Sequence, residues 1–199
     1  MDILLSPVTV LVAAYLAGSI PFGLILTRIA GAGDIRQIGS GNIGATNVLR
    51  TGNKLLAVLT LIGDAGKGAA IVLAVTAAGG TPLLIAVAGA ASVVGHCFPV
   101  WLRFRGGKGI ATNVAVFAAF DIRLGLAFAV LWLGTAAITR YSSLAALVAT
   151  LGCSIAAFWL DLDLPVTVAV LLMSGLSWTR HHQNIGRLLT GTETRIGGK

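Results

Sequence analysis

From Gly68 to Leu102 the chain runs 35 residues without a formal charge. No water-facing helix stays neutral that long, whereas about 20 apolar residues suffice to cross the roughly 30 Å hydrocarbon core of a bilayer. The run reads as membrane-embedded, and Gly79-Gly80-Thr81-Pro82 divides it, because glycines and proline end a helix. Composition extends this to the whole chain. Charged residues make up 11% of the 199, against about 25% in a globular domain, too few to clothe the apolar remainder in water.

The expected architecture is an all-α bundle of about seven transmembrane helices, one domain over residues 1–199. The spans are Ile3–Thr27, Leu55–Ala78, Leu83–Leu102, Gly109–Phe120, Leu124–Thr139, Tyr141–Leu160 and Leu164–Thr179. The fourth is weak: its 12 residues rise only about 18 Å, so it reads as a half-span or as a re-entrant hairpin with its successor. Either way the sidedness of the rest is unchanged.

Charge sets the orientation. With the N-terminus outside, the inside segments hold Arg28, Arg36, Arg50, Lys54, Arg103, Arg105, Lys108, Arg140, Arg180, Arg187, Arg195 and Lys199, twelve of the fourteen basic residues. Lys67 lies within a span and Arg123 outside, where Asp161 and Asp163 also fall. The positive-inside rule therefore predicts N-out and a cytoplasmic C-terminus. It also accounts for the net charge of +7, so no nucleic-acid partner is needed. Cys97 and Cys153 sit in apolar runs without CxxC spacing, which excludes a disulfide framework or zinc knuckle.

Three polar segments collect on the inner side. The first contains Gly39-Ser40-Gly41-Asn42-Ile43-Gly44-Ala45-Thr46-Asn47, then Arg50. Glycines let a backbone approach an oxyanion with several N–H groups, and arginine can clamp it, so this reads as a phosphate cradle or, alternatively, a glycine-rich interfacial turn. The second, Arg103-Phe104-Arg105-Gly106-Gly107-Lys108-Gly109, fails the P-loop pattern, because no Ser or Thr follows the lysine. It suits a non-nucleotide phosphate or lipid head groups. In the third, Arg180 to Arg187, a helix would put His181, Asn184 and Arg187 on one face.

Within the spans, Asp64 and Lys67 are spaced to pair as a structural ion pair. His96 beside Phe98-Pro99 reads as a hydrogen-bonded structural histidine. The inner segments hold only two carboxylates, Asp34 and Glu193, which disfavours a magnesium site; no metal and no cofactor are expected. Neither a GxSxG elbow nor an HxxxxD pair occurs.

Taken together, Gly39-Ser40-Gly41-Asn42 with Gly44-Ala45-Thr46-Asn47 and Arg50, Gly106-Gly107-Lys108-Gly109, and Arg180-His181 with Asn184-Ile185, Arg187 and Glu193 resemble the bacterial integral-membrane acyl-phosphate:glycerol-3-phosphate acyltransferases. Gly18-Ser19-Ile20-Pro21-Phe22-Gly23, Gly63-Asp64 with Lys67-Gly68, and Gly95-His96 extend the resemblance over nearly the whole chain. Ile43 departs from it, standing where several relatives carry proline.

The resemblance implies a seven-helix protein of the bacterial inner membrane with its motif loops in the cytoplasm. It implies acyl transfer from acyl phosphate to the 1-hydroxyl of sn-glycerol 3-phosphate, giving lysophosphatidic acid and phosphate, the first acylation of phospholipid synthesis. Carried over by motif, Ser40, Arg50, His181 and Asn184 are the catalytic positions. Gly39, Gly41, Asn42, Gly44, Thr46, Asn47, Gly106, Gly107, Lys108, Ser143 and Arg187 bind substrate, with Ser142 the neighbouring alternative to Ser143, and Glu193 is structurally important. The implied partners are the two substrates, membrane lipids and a soluble enzyme that makes acyl phosphate. Because acyl phosphate is an activated mixed anhydride, the hydroxyl can attack directly, with His181 or the acceptor's own phosphate as base. The competing reading is a transporter of phosphorylated small molecules. That reading needs ionisable groups along a path through the bilayer, whereas here they crowd one side.

Overall fold

The computed structural model describes residues 6–197; the first residues of the expected Ile3–Thr27 span, and Lys199, lie outside them. The helices are α1 (Pro7–Gly18), α2 (Phe22–Ile29), α3 (Ala45–Val48), α4 (Lys54–Ala77), α5 (Pro82–Cys97), α6 (Ile110–Phe120), α7 (Ile122–Thr139), α8 (Ser142–Trp159), α9 (Leu164–Arg180) and α10 (His182–Leu189). Five segments are long and apolar enough to cross a bilayer: Pro7–Ile29, Lys54–Ala77, Pro82–Leu102, Ile122–Thr139 and Ser142–Trp159. Two shorter apolar helices are α6 and α9. The starts follow local chemistry: Ser6, Asn53 and Thr81 each accept a backbone N–H of the following turn, and Pro7 and Pro82 occupy first-turn positions that need no donor.

The first expected span is not one helix. It breaks at Ser19-Ile20-Pro21, where proline has no N–H to give. The two carbonyls freed there find remote donors: Trp101 Nε1 bonds Ser19 O at 2.7 Å, and Lys67 Nζ bonds Ile20 O at 2.7 Å. The span expected to reach Leu102 also ends early, at Cys97. Beyond it a 3-10 turn, Val100–Leu102, reverses the chain, which runs back beside α5 so that Gly106 N and Gly107 N bond the carbonyls of Cys97 and His96, each at 3.1 Å. This accounts for the short fourth span. Helix α6 starts below the rim because the basic loop has already descended, and its 11 residues cover about 16 Å, half a hydrocarbon core.

Close backbone approach holds the bundle together, as expected where lipid supplies no hydrophobic force between helices. Gly18 of α1 lies against the Ser92 backbone of α5, and Gly95 of α5 against the Tyr15 carbonyl of α1, where a side chain would overlap main-chain atoms. The main core includes Val72, Val93, Phe117, Leu124 and Val170, while Ile138, Trp159 and Val130 stay open, as lipid-facing residues do. A second, smaller core of Leu24, Ile35, Ile43, Val48, Leu56 and Ala57 anchors the first polar loop on α2 and α4. Ile43 is a member of it, so its apolar side chain helps fix the loop.

Asp64 and Lys67 pair at 2.7 Å with both side chains 2% exposed, as the spacing predicts. Asp64→Ala would strand the Lys67 ammonium, and removing one partner of a buried pair costs about 3–5 kcal/mol. A lower melting temperature in detergent is the expected result, larger for Asp64→Ala than for a double replacement of both residues by apolar ones. His96 differs from expectation. Its Nδ1 stands 3.6 Å from Asp64 Oδ1, beyond hydrogen-bond range, and has no partner among the described residues. The Nε2 edge of the ring is packed against Gly107, where any side chain would collide with it.

Candidate active site

The first polar loop is bracketed by one residue. Asn47, 2% exposed, donates through Nδ2 to Ile35 O, Ile38 O and Asn42 O at 2.8–3.0 Å, and its Oδ1 accepts from Ser40 N at 3.1 Å. Its polar atoms are thus spent on the loop, which leaves Ser40 exposed at the turn. Gly39 has φ +54, and a methyl there would meet the Arg50 side chain and Asn47 Oδ1, each at 2.6 Å. Glycine is therefore what lets the Arg50 side chain lie over the cradle.

The second loop is fastened to the end of α9. Arg180 donates through Nε to Gly107 O at 3.1 Å and through Nη2 to Gly106 O at 3.0 Å, and its guanidinium lies 5.2 Å from the centre of the Phe98 ring. Ser177 Oγ donates to Lys108 O at 3.3 Å and accepts from Asn113 Nδ2 at 2.7 Å. The Lys108 ammonium is left to donate to Asn184 Oδ1 at 2.5 Å.

In the third segment α9 ends at Arg180 and α10 begins at His182, with His181 at the joint. Glu193 gathers its side chains: Ser143 Oγ and Asn184 Nδ2 donate to Oε1 at 2.7 and 2.6 Å, and Arg187 Nε donates to Oε2 at 2.6 Å. The tail reaches α8 because Ile196 N bonds Arg140 O at 2.6 Å. Ser143, rather than Ser142, makes the contact to Glu193.

These parts meet in a cleft of about 990 Å³. Ser40, Arg50, Lys108, Ser143, His181, Asn184 and Arg187 line it, with Gly39, Asn42, Gly44, Thr46 and Asn47 forming the first loop's wall. Gly41, Gly106 and Gly107 lie off its surface and serve the loops' backbone paths. The motif reading did not single out the apolar half, where Val58, Leu61, Val114, Phe128, Trp132 and Leu133 of α4, α6 and α7 line the same cleft. Nothing in sequence separates such residues from lipid-facing ones, since both are apolar. Arg180 was visible in the third motif but had no role assigned. Its partners are main-chain carbonyls, which leave no side-chain pattern.

The polar end carries an excess of positive charge. Burial pushes the Lys108 pKa down to about 8, with Arg187, Arg180 and Arg50 working the same way and Glu193 opposing. Cations crowded this closely make a site for anions. Burial also pushes His181 down to about 4, with Lys108 and Arg180 contributing, against the Ser177 carbonyl and Glu193. Its Nδ1 sits 2.7 Å from Ser177 O. A carbonyl only accepts, so Nδ1 holds the hydrogen and Nε2 keeps a lone pair. Burial works against a charged Glu193, but hydrogen bonds from Asn184, Ser143 and Arg187 hold its carboxyl below the ordinary value.

Residues 8–191 match the family model described as glycerol-3-phosphate acyltransferase. The chain is 56% identical over 185 residues to the glycerol-3-phosphate acyltransferase of Agrobacterium fabrum, covering 93% of this chain and 89% of that one. It is 53% identical over 190 residues to that of Caulobacter vibrioides, covering 95% and 87%. Among solved structures it resembles PlsY, an integral membrane glycerol 3-phosphate acyltransferase, in its glycerol 3-phosphate form, with a TM-score of 0.92, 38% identity and 96% of each chain covered. The lysophosphatidic acid form matches with a TM-score of 0.89 and 36% identity, covering 95% of this chain and 94% of that one. Fold, cleft and sequence agree: the chain belongs to the glycerol-3-phosphate acyltransferase family.

Proposed function

We propose that this chain is an integral membrane enzyme that transfers a fatty acyl group from acyl phosphate to the 1-hydroxyl of sn-glycerol 3-phosphate. The products are lysophosphatidic acid and inorganic phosphate. The observation that carries the reading is the single cleft, cationic at one end and apolar at the other, to which three separated motif segments contribute. Such a cleft suits an amphiphilic donor and a small anionic acceptor together. A path for transport would need ionisable groups through the membrane. Among the described residues the ionisable side chains buried within the spans are Asp64, Lys67 and His96, and of these Asp64 and His96 border the cleft rather than continuing a path through the bundle.

In this reading the donor's chain lies in the groove of Val58, Leu61, Phe128 and Trp132, and its acyl phosphate meets the first loop. The exposed Ser40 hydroxyl and the Arg50 guanidinium take up charge as phosphate departs, the Ser40 and Gly41 N–H groups being spent on the loop itself. The acceptor's phosphate is held by the free N–H groups of Lys108 and Arg187, which Asn184 and Glu193 aim. The 1-hydroxyl oxygen forms the new bond to the carbonyl carbon while the bond from that carbon to the phosphate oxygen breaks. The hydroxyl proton passes to His181 Nε2 or to the acceptor's own phosphate. The bundle sits in the bacterial inner membrane as one domain, N-terminus outside, with the cleft opening to the cytoplasm, because the basic residues gather on that side. A soluble enzyme supplies the labile donor there.

The donor class is tested by giving the purified protein glycerol 3-phosphate with either palmitoyl phosphate or a palmitoyl thioester. Lysophosphatidic acid should form from the acyl phosphate alone; formation from the thioester alone would overturn this assignment.

Titration gives a second expectation. Lys108 is charged below about pH 8 and neutral above it, so acceptor capture falls on the alkaline side, while the acceptor's phosphate loses its second charge below about pH 6. His181, at about 4, is already neutral across this window and adds no limb. A profile of kcat/KM for glycerol 3-phosphate should therefore be bell-shaped between these values. Lys108→Arg should move the alkaline limb upward; an unmoved limb would take Lys108 out of acceptor binding.

A further inference from the structure

Three consecutive carbonyls of the second loop are each held by a side chain from one helical turn. Gly106 O and Gly107 O accept from Arg180, and Lys108 O accepts from Ser177. The opposite edge of the loop is held by α5, whose His96 and Cys97 carbonyls take the Gly107 and Gly106 N–H groups. The backbone that carries Lys108 is thus held from both edges. Arg180 itself is not among the residues lining the cleft. Its Nε and Nη2 are engaged on the loop and its plane packs over Phe98.

We propose that Arg180 is a positioning residue for the acceptor: it joins the lysine loop to the helix end that carries His181 and Asn184, and so sets where the Lys108 ammonium stands. The inference rests on the acyltransferase reading above. The next residue in the chain is His181, whose Nδ1 bonds the Ser177 carbonyl at 2.7 Å, and Asn184 accepts from Lys108 at 2.5 Å. One guanidinium thus fixes the distance between the group that grips the acceptor's phosphate and the group beside its hydroxyl. A planar fork can serve two carbonyls one residue apart, whereas a lysine offers a single point of charge. Lysine is therefore an inadequate replacement here even though the charge is kept.

The test uses the full-length protein in detergent, with palmitoyl phosphate and glycerol 3-phosphate, and compares wild type with Arg180→Lys, Arg180→Ala and Ser177→Ala. Small displacements of a binding group cost up to about a hundredfold. The KM for glycerol 3-phosphate should therefore rise about tenfold in Arg180→Lys and further in Arg180→Ala, and less in Ser177→Ala, while the KM for palmitoyl phosphate stays within about twofold. If kcat alone falls and both KM values hold, Arg180 merely keeps the protein folded and the inference is wrong. An unchanged acceptor KM in a fully active Arg180→Lys overturns it equally. Should Arg180→Ala fail to fold, the Lys and Ser177 variants still decide. A wild-type protein inactive on both substrates would instead remove the acyltransferase reading.

Discussion

Arg50→Ala should lower kcat by about 10²–10³-fold, the usual effect of removing one donor aimed at charge that develops in a transition state. It should do so without unfolding the protein. Arg50 is exposed, and its guanidinium makes no hydrogen bond or ion pair with another described residue, so the fold loses only its packing across Gly39. Surface replacements of that kind usually stay within about 0.5 kcal/mol. The side chain lies across Gly39, beside the cradle where the leaving phosphate is placed. Steady-state kinetics with a melting curve decide the matter. A fall in kcat with an unchanged melting temperature fits, whereas a folded variant with wild-type kcat would remove Arg50 from the mechanism. Arg50→Lys should recover part of the rate, since charge is kept and the bidentate geometry is not.

The second large effect is expected at Glu193, and it should strike stability and acceptor binding together. The carboxylate is 7% exposed and serves Ser143, Asn184 and Arg187 at once. Glu193→Ala leaves the buried Asn184 amide and the 37%-exposed Arg187 side chain without their acceptor, a loss of about 1–3 kcal/mol, since water can reach the arginine but not the amide. Because Asn184 also holds Lys108, the acceptor's cations lose their alignment, and kcat/KM for glycerol 3-phosphate should fall about a hundredfold. Glu193→Gln keeps an oxygen for Ser143 and Asn184 but no charge for Arg187, so it should lie between wild type and Ala. Measured at a temperature where the variants remain folded, an unaltered acceptor KM in Glu193→Ala would show that this carboxylate shapes nothing in the site.

Much of the arrangement was legible before any coordinates. Charge-free runs located the apolar segments because charge in hydrocarbon is costly, and the same cost made Asp64 and Lys67 a pair. The expected crowding of the polar motifs onto one side of the bundle matches the cleft that collects Ser40, Arg50, Lys108, His181 and Asn184. What stayed hidden depends on contacts far apart in sequence. At the break before Pro21, Lys67 and Trp101 supply donors to the carbonyls of Ile20 and Ser19. The role of Glu193 appears only once the tail is tied to Arg140 and reaches Ser143 of α8. The short α6 follows from a loop that turns back alongside α5. Periodicity and motif spacing are local signals, and none of these three features is local.

At the centre lies the claim that one cleft holds the donor's phosphate and the acceptor's phosphate at the same time, so that the hydroxyl attacks directly. Initial rates measured over a grid of palmitoyl phosphate and glycerol 3-phosphate concentrations test this without any substitution. Double-reciprocal lines that intersect, with no phosphate released in the absence of glycerol 3-phosphate, are the predicted result. Parallel lines with a burst of phosphate from palmitoyl phosphate alone would mean a covalent acyl-enzyme formed before the acceptor binds, and would contradict the shared site.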